Sequence, residues 1–426
     1  MLTNEQNEIL TRVGKGTPMG TAMRRYWHPI ATSAELPHPD CDPIRAKLLG
    51  ETFVVFRDTE GRVGVMDELC LHRGASMAIG RVEDGGIRCI YHGWKFDVEG
   101  KLLDTPNHAD GRVKERLRAK TFPVREQSGL IWTYIGPKDK QPPFRQHAFD
   151  NVPAANRIIV KLVVKANYLQ MWEGGTDSSH VGILHSNVTR PGWLSNSSEK
   201  GGPEINDMVS AAWDDMSPQL EIENTSFGFH YVGMRKGAEG KRNVRLVPLF
   251  MPTGRIIEFP DFYSTVLDTP LDDTTTASYL VDASDVRALD MQERLKRSGL
   301  TEERFYKDFQ FEGSWDNHFH QDREAMHSRA SWSGFHGITQ EDAVISTSMG
   351  PVYDRSTEHL VAADAAIVRL RQRLLESVRR SEAGEDPIGL NLEDLTHMRG
   401  FDVDINEGES WRTHAAHHST RYPETE

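Results

Sequence analysis

The chain has 426 residues, 38% hydrophobic and 27% charged, which is enough for two domains with sizeable cores. Its net charge of −13 and pI near 5.8 speak against a nucleic-acid partner, and no apolar run approaches a membrane span. The opening MLTNEQNEILTRVG lacks a cationic start followed by an apolar stretch, so no signal peptide is expected.

Thr3-x-x-Gln6 predicts a capping box and Gly14 the stop of a first helix. Thr17-Pro18 predicts the cap and first residue of a second, ending near Trp27. From Ile44 to about Asn156 the pattern turns to short apolar runs broken by turns, as in KLLGETFVVFRD, GRVGVMDE, IRCIYHGWKFD and GLIWTYIG. That predicts a small antiparallel β domain.

Within it stand Cys70, His72, Cys89 and His92, as Cys-x-His, a gap of sixteen residues, then Cys-x-x-His. Two thiolates and two imidazoles at this spacing are the ligand pattern of a Rieske [2Fe–2S] centre, where neutral imidazoles on one iron raise the reduction potential. A structural zinc site would use the same atoms, but Cys-x-His is tight for zinc pairs. Gly74 and Gly93 follow the two pairs, placing each on a tight turn with backbone N–H groups free to face bridging sulfides. The third cysteine, Cys41, has no partner at ligand spacing and reads as a plain thiol. Nothing remains for disulfides, so a reducing, cytoplasmic setting is expected.

After Asn156, RIIVKLVVKA predicts a strand and NYLQMWEGGTDSSHVGILH a helix weakened by Gly174-Gly175. Further strands are predicted at HYVGM, VRLVPLFMP, IIEFP and SYLVDA. Leu360, Ala363, Ile367, Leu370, Leu374 and Val378 carry the apolar stripe of a closing helix, read as core packing. From Ser381 onward the chain is polar and is expected to be an extended tail laid over a neighbouring subunit.

The segment Glu173-x-x-x-Asp177-x-x-His180-x-x-x-x-His185 is the second metal candidate. On one helix, residues 173, 177 and 180 share a face. His185 lies about 140° further round, so both imidazoles reach one ion only if the helix is distorted or ends between them. Two His plus a carboxylate from elsewhere form the facial triad of non-haem Fe(II) oxygenases, which leaves coordination positions open.

These residues carry a resemblance. With GTPMGTAMRRYWHP, CLHRGAS, YHGWKFDVEG, EGGTDSSHVGILHS, QDREAM, SMGPVYDR and TEHLVAADAAI, the chain resembles the oxygenase (α) component of Rieske non-haem iron ring-hydroxylating oxygenases, over nearly its whole length. It is most similar to the phthalate 4,5-dioxygenase and 3-phenoxybenzoate dioxygenase group. The resemblance implies an α+β architecture: N-terminal helices (1–43) packing on the catalytic domain, a Rieske domain (44–155), a helix-grip catalytic domain (156–380) and the tail (381–426). It assigns Cys70, His72, Cys89 and His92 to the cluster and His180 and His185 to a mononuclear iron. Asp177 becomes the bridge between centres. Asp322, in Gln321-Asp322-Arg323, becomes the third iron ligand, with Asp316 and Glu324 as nearby competitors. Leu71 stands where many relatives have Pro, which should tune loop rigidity.

The resemblance further implies a homotrimer in which His92 of one subunit meets Asp177 of the next, and possibly a stacked hexamer. It implies electrons from a separate NAD(P)H-dependent flavin and iron–sulfur reductase, consistent with the lack of a nucleotide-binding glycine motif in usable context. The expected reaction is cis-dihydroxylation of an aromatic carboxylate, with monooxygenation or O-demethylation as the alternative. An acidic protein needs a local cation to hold an acid. MRKGAEGKRNVRL supplies Arg245, expected to line the pocket, and Arg235 as second choice.

Overall fold

The computed structural model describes all residues except 109–111, 190–214, 238, 416–420 and 425–426. Thr3 caps the first helix, Asn4–Thr11, reciprocally: its hydroxyl accepts from Gln6 N at 3.1 Å and its N–H donates to Gln6 Oε1 at 3.0 Å. Thr17 and Pro18 open the second, Pro18–Met23. Both end earlier than expected. Trp27–Thr32 is a strand buried along its whole length and paired antiparallel with Leu130–Tyr134. Pro29 lacks the N–H that a continuing helix would need, so the helix ends and the ladder takes over. The 1–43 segment is therefore helical only at its start, and its second half extends the β domain.

That domain holds two four-stranded antiparallel sheets. One contains Ile44–Leu48, Glu51–Arg57, Val63–Asp67 and Thr121–Phe122; the other contains Arg81–Glu83, Gly86–Arg88, Lys95–Phe96 and Leu102–Asp104. Val54, Phe56, Met66, Ile87 and Phe96 fill the space beneath the two cysteine-bearing turns. One turn follows Val63–Asp67; the other joins Gly86–Arg88 to Lys95–Phe96.

The catalytic half is one sheet of ten described strands, almost all antiparallel. Gln219–Thr225 and Tyr263–Asp272 were not foreseen. Pro270 and the polar Asp268-Thr269 hid the second, and the register does shift beside Pro270. Side chains alternate as a sheet requires. Phe229, Tyr231, Val247 and Leu249 face the helices Tyr168–Thr176 and Ala365–Glu382, meeting Leu169, Trp172, Leu370 and Leu374. Val232, Met234, Val244 and Leu246 face the other way.

The segment after Ser381 corrects the expectation of an extended tail. Phe401–Asn406 pairs antiparallel with Lys241–Phe250, and Phe401, Ile405 and Trp411 cover the outer face of this same chain's sheet. Trp411 Nε1 donates to Glu221 Oε2 at 2.8 Å. Apolar residues at alternate positions 401, 403 and 405 were the missed signal.

Candidate metal centres

The two cysteine turns are built alike. Cys70 O accepts from Gly74 N and Cys89 O from Gly93 N, each at 2.9 Å. Cys70 N donates to Ala75 O at 2.9 Å and Cys89 N to Trp94 O at 2.8 Å. Gly74 and Gly93 adopt φ +72° and +77°, a left-handed turn that strains other residues. Both thiols are buried. The two imidazoles meet with ring centroids 4.3 Å apart, and His72 stacks on Trp94.

The donor set fits a cluster. Burial, and then neighbouring Cys89, push the Cys70 thiol up to about 11, so a bound cation is what would keep Cys70 as a thiolate near neutral pH. His72 Nδ1 is buried with no hydrogen-bond partner. A buried imidazole nitrogen beside two buried thiols is accounted for by a metal ligand and by little else.

At the second centre the expected continuous helix is broken. Tyr168–Thr176 stops at Asp177, whose backbone is extended, and a single turn, Val181–Leu184, separates His180 from His185. The break swings the imidazoles together, with ring centroids 5.0 Å apart. It also dissolves the shared face of residues 173, 177 and 180. Glu173 points instead into a buried network, accepting from Arg355 Nε at 2.9 and 3.0 Å and from Arg371 Nε at 2.6 Å.

The third donor beside the two imidazoles is Asp342, from the helix Ile338–Ser348. Asp342 Oδ1 lies 3.3 Å from His185 Nε2 and 3.7 Å from His180 Nε2. One ligand atom from each of His180, His185 and Asp342 lies within 4.8 Å of the others. Asp322 is elsewhere employed: it caps the helix Arg323–His327, accepting from Ala325 N at 2.8 Å. An Asp three residues before a backbone N–H at a helix start is a local cap before it is anything else. Neither Asp316 nor Glu324 joins the triad; each stands in the first turn of a short helix.

The remaining nitrogen of each imidazole faces a carboxylate. His185 Nδ1 lies 2.8 Å from Oε2 of buried Glu341. Ser333 Oγ donates to Glu341 Oε1 at 2.5 Å, and Asn187 Nδ2 reaches the same oxygen at 3.3 Å. His180 Nδ1 lies 3.3 Å from Asp177 Oδ2, while Ser179 N and Oγ both donate to Asp177 Oδ1 at 2.7 Å. Burial alone would raise Asp177; His180 and Ser179 outweigh it and hold the carboxyl down at about 2. Burial alone would lower His185; Asp342 and Glu341 instead push it up to about 10. A pocket that charges its own imidazole is one a cation would neutralise.

Two cavities, of about 220 and 100 Å³, adjoin this triad and share Gly175, Asp177, His180, Arg255 and Asp342 in their walls. Arg245 lines the smaller one, as expected, and lies 3.8 Å from Asp402 of the C-terminal strand. Arg235 does not: it is buried and donates to Ser178 O and Ser178 Oγ at 2.7 and 2.8 Å. Leu360 and Ile367, read as core packing, line the larger cavity.

Residues 26–123 match the family model for the Rieske [2Fe-2S] domain, and residues 133–425 match that described as "LigXa C-terminal domain like". The chain belongs to the Rieske non-haem iron oxygenases, as an oxygenase subunit. It is 34% identical to the phthalate 4,5-dioxygenase oxygenase subunit of Pseudomonas putida, over 98% of this chain and 95% of that protein. It is 33% identical to the 3-chlorobenzoate-3,4-dioxygenase oxygenase subunit of Comamonas testosteroni, over 92% and 93%. Among solved structures, NdmA of Pseudomonas putida CBB5 with caffeine superposes with a TM-score of 0.60 at 18% identity, covering 92% of this chain and 100% of that one. That likeness concerns the fold. The family's cofactors are a Rieske [2Fe–2S] cluster and a mononuclear iron. Among the described residues no helix is long and apolar enough to cross a membrane.

Proposed function

We propose that this Rieske oxygenase hydroxylates an aromatic carboxylate, with Cys70, His72, Cys89 and His92 holding the cluster and His180, His185 and Asp342 holding the iron. The convergence of His180, His185 and Asp342 beside two cavities carries the reading. When bound, the cluster relays electrons and the iron activates O₂ next to the substrate.

The chain's own residues supply the orientation. Glu341 and Asp177 each fix an imidazole so that Nε2 turns toward Asp342. The smaller cavity offers Val247, Ile257, Phe259 and Ile338 to an aromatic ring, and Arg245 to an acid group. The nearby relatives named for phthalate and chlorobenzoate support an acid as substrate.

Electrons come from a separate reductase, and the active form is a ring of three. Around the cluster turns, Leu69, Leu71, Ile79, Ile90 and Tyr91 are all large, apolar and 45–63% exposed. A clustered apolar rim of this kind suits a protein partner, and a second copy of the chain would place His92 against Asp177. Domain limits follow: a β domain beginning with the strand at Trp27, and a catalytic domain that includes the C-terminal strand.

The test is NAD(P)H-dependent O₂ uptake by iron-replete protein with a phthalate-type reductase, screened over benzoate, the phthalates, 3-phenoxybenzoate and methoxybenzoates under ¹⁸O₂. Two labelled oxygens in one product support ring dioxygenation. One labelled oxygen, or a released aldehyde, moves the enzyme to the monooxygenase or demethylase branch, as the 31% identity to a 5,5'-dehydrodivanillate O-demethylase subunit would suit. Uptake coupled to none of these acids defeats the reading.

A further inference from the structure

Arg255 lines both cavities beside His180 and Asp342, and nothing in the sequence drew attention to it. It stands on the strand Gly254–Glu258 and is only 7% exposed. Both cavities take their wall from it at the point where they adjoin His180 and Asp342.

Of its five N–H donors, the bonded one is on Nη1, which meets the buried Asp268; the second oxygen of Asp268 accepts from Ser278 Oγ at 2.5 Å. Nε is buried with no hydrogen-bond partner. An arginine held from one end by a buried carboxylate, with donors left over beside an apolar cavity, is built to receive an anion.

Gly175 makes the position possible. A Cβ there would come within 2.0 Å of Arg255 Nε, 2.1 Å of Cζ and 2.5 Å of Nη2. The guanidinium therefore lies flat against the bare backbone at the end of the helix Tyr168–Thr176, two residues before Asp177. Any side chain at position 175 would push it off the cavity wall.

We propose that Arg255 is a specificity-determining residue that receives the substrate's carboxylate beside the iron, and that Gly175 is the residue that lets it. This rests on the reading of an acid as substrate and goes beyond it by assigning the acid's end of the site to Arg255 in addition to Arg245. The Asp268–Ser278 pair fixes the guanidinium from behind, so the anchor is rigid and does not depend on a mobile side chain folding over the ligand.

The experiment is equilibrium binding of benzoate and phthalate, and of the neutral amides benzamide and phthalamide, to anaerobic enzyme loaded with iron and cluster. Wild type is compared with Arg255→Gln, Arg255→Lys, Gly175→Ala and Arg245→Gln, with iron content and cluster absorbance recorded for each. Turnover is not required, so the result stands apart from whether the oxygenase reading of these acids survives. The expected result is that wild type prefers acid to amide, and that Arg255→Gln and Gly175→Ala each cut that preference about 10- to 100-fold with both metals retained, since each removes a charge-assisted hydrogen bond. Arg255→Lys keeps part of it, and Arg245→Gln cuts it less. Wild type that binds amides as well as acids, or a preference that survives Arg255→Gln and Gly175→Ala, overturns the proposal. Loss of iron or cluster in Arg255→Gln alone shifts the decision to Gly175→Ala, which keeps the Arg255–Asp268 charges.

Discussion

The two proposed ligand sets would meet the same problem, holding iron with imidazoles, in opposite surroundings. His72 and His92 sit on exposed turns among apolar side chains, and His72 Nδ1 has no protein partner. The turns themselves are held by backbone hydrogen bonds. His180 and His185 lie in a recess, and the nitrogen turned away from Asp342 faces Asp177 in one ring and Glu341 in the other. In the proposed reading the first arrangement passes electrons near the surface. In the same reading the second holds a lone cation beside a cavity that takes the substrate, with carboxylates behind the imidazoles.

The contrast makes separable predictions. Cys89→Ser should have the largest effect: cluster absorbance and turnover vanish together, while iron at the His180 site, measured after cluster loss by metal analysis, remains. Asp177→Asn should keep both metals and lower turnover by about 100-fold, because a neutral amide has one acceptor oxygen where the carboxylate offers one to Ser179 and one to His180; single-turnover kinetics with a pre-reduced cluster would show it. Glu341→Gln should weaken iron binding about 10- to 100-fold at the recessed site without touching the cluster spectrum. If Glu341→Gln changes neither, the idea that the recessed site depends on its outer carboxylates fails.

Buried imidazoles away from both centres provide the smallest and broadest effect. Burial lowers His28 to about 4 and His147 to about 3. Between those values and 6.5 the unfolded chain binds more protons than the folded one, so stability falls as pH drops below 6.5. Thermal unfolding should therefore occur at lower temperature at pH 5 than at pH 7, in metal-loaded and metal-free protein alike.

What the sequence made legible divides along the same line. The cluster turns are local: four donors and two glycines within a short stretch, closed by hydrogen bonds five residues apart at most. Spacing alone gives such a site. His180 and His185 were also legible as a pair, but the carboxylate that joins them comes from a helix far along the chain, and only the fold brings it there. Asp322 resembled the family's late carboxylate, yet its position suits a helix cap, which Asp342, inside a helix, could not serve. Arg255 and Gly175 stayed hidden because their relation is a contact between a strand and a helix end. The C-terminal strand was missed because the polar character of the chain after Ser381 outweighed the alternation of Phe401, Val403 and Ile405.

The central proposal is that Asp342 completes the iron site with His180 and His185. The direct measurement is metal content and Rieske absorbance of Asp342→Ala and Asp322→Ala, purified anaerobically and reconstituted side by side. Asp342→Ala should keep the cluster spectrum and lose the mononuclear iron with all O₂-coupled turnover, while Asp322→Ala keeps both. Iron lost from Asp322→Ala and retained in Asp342→Ala would contradict the site described above.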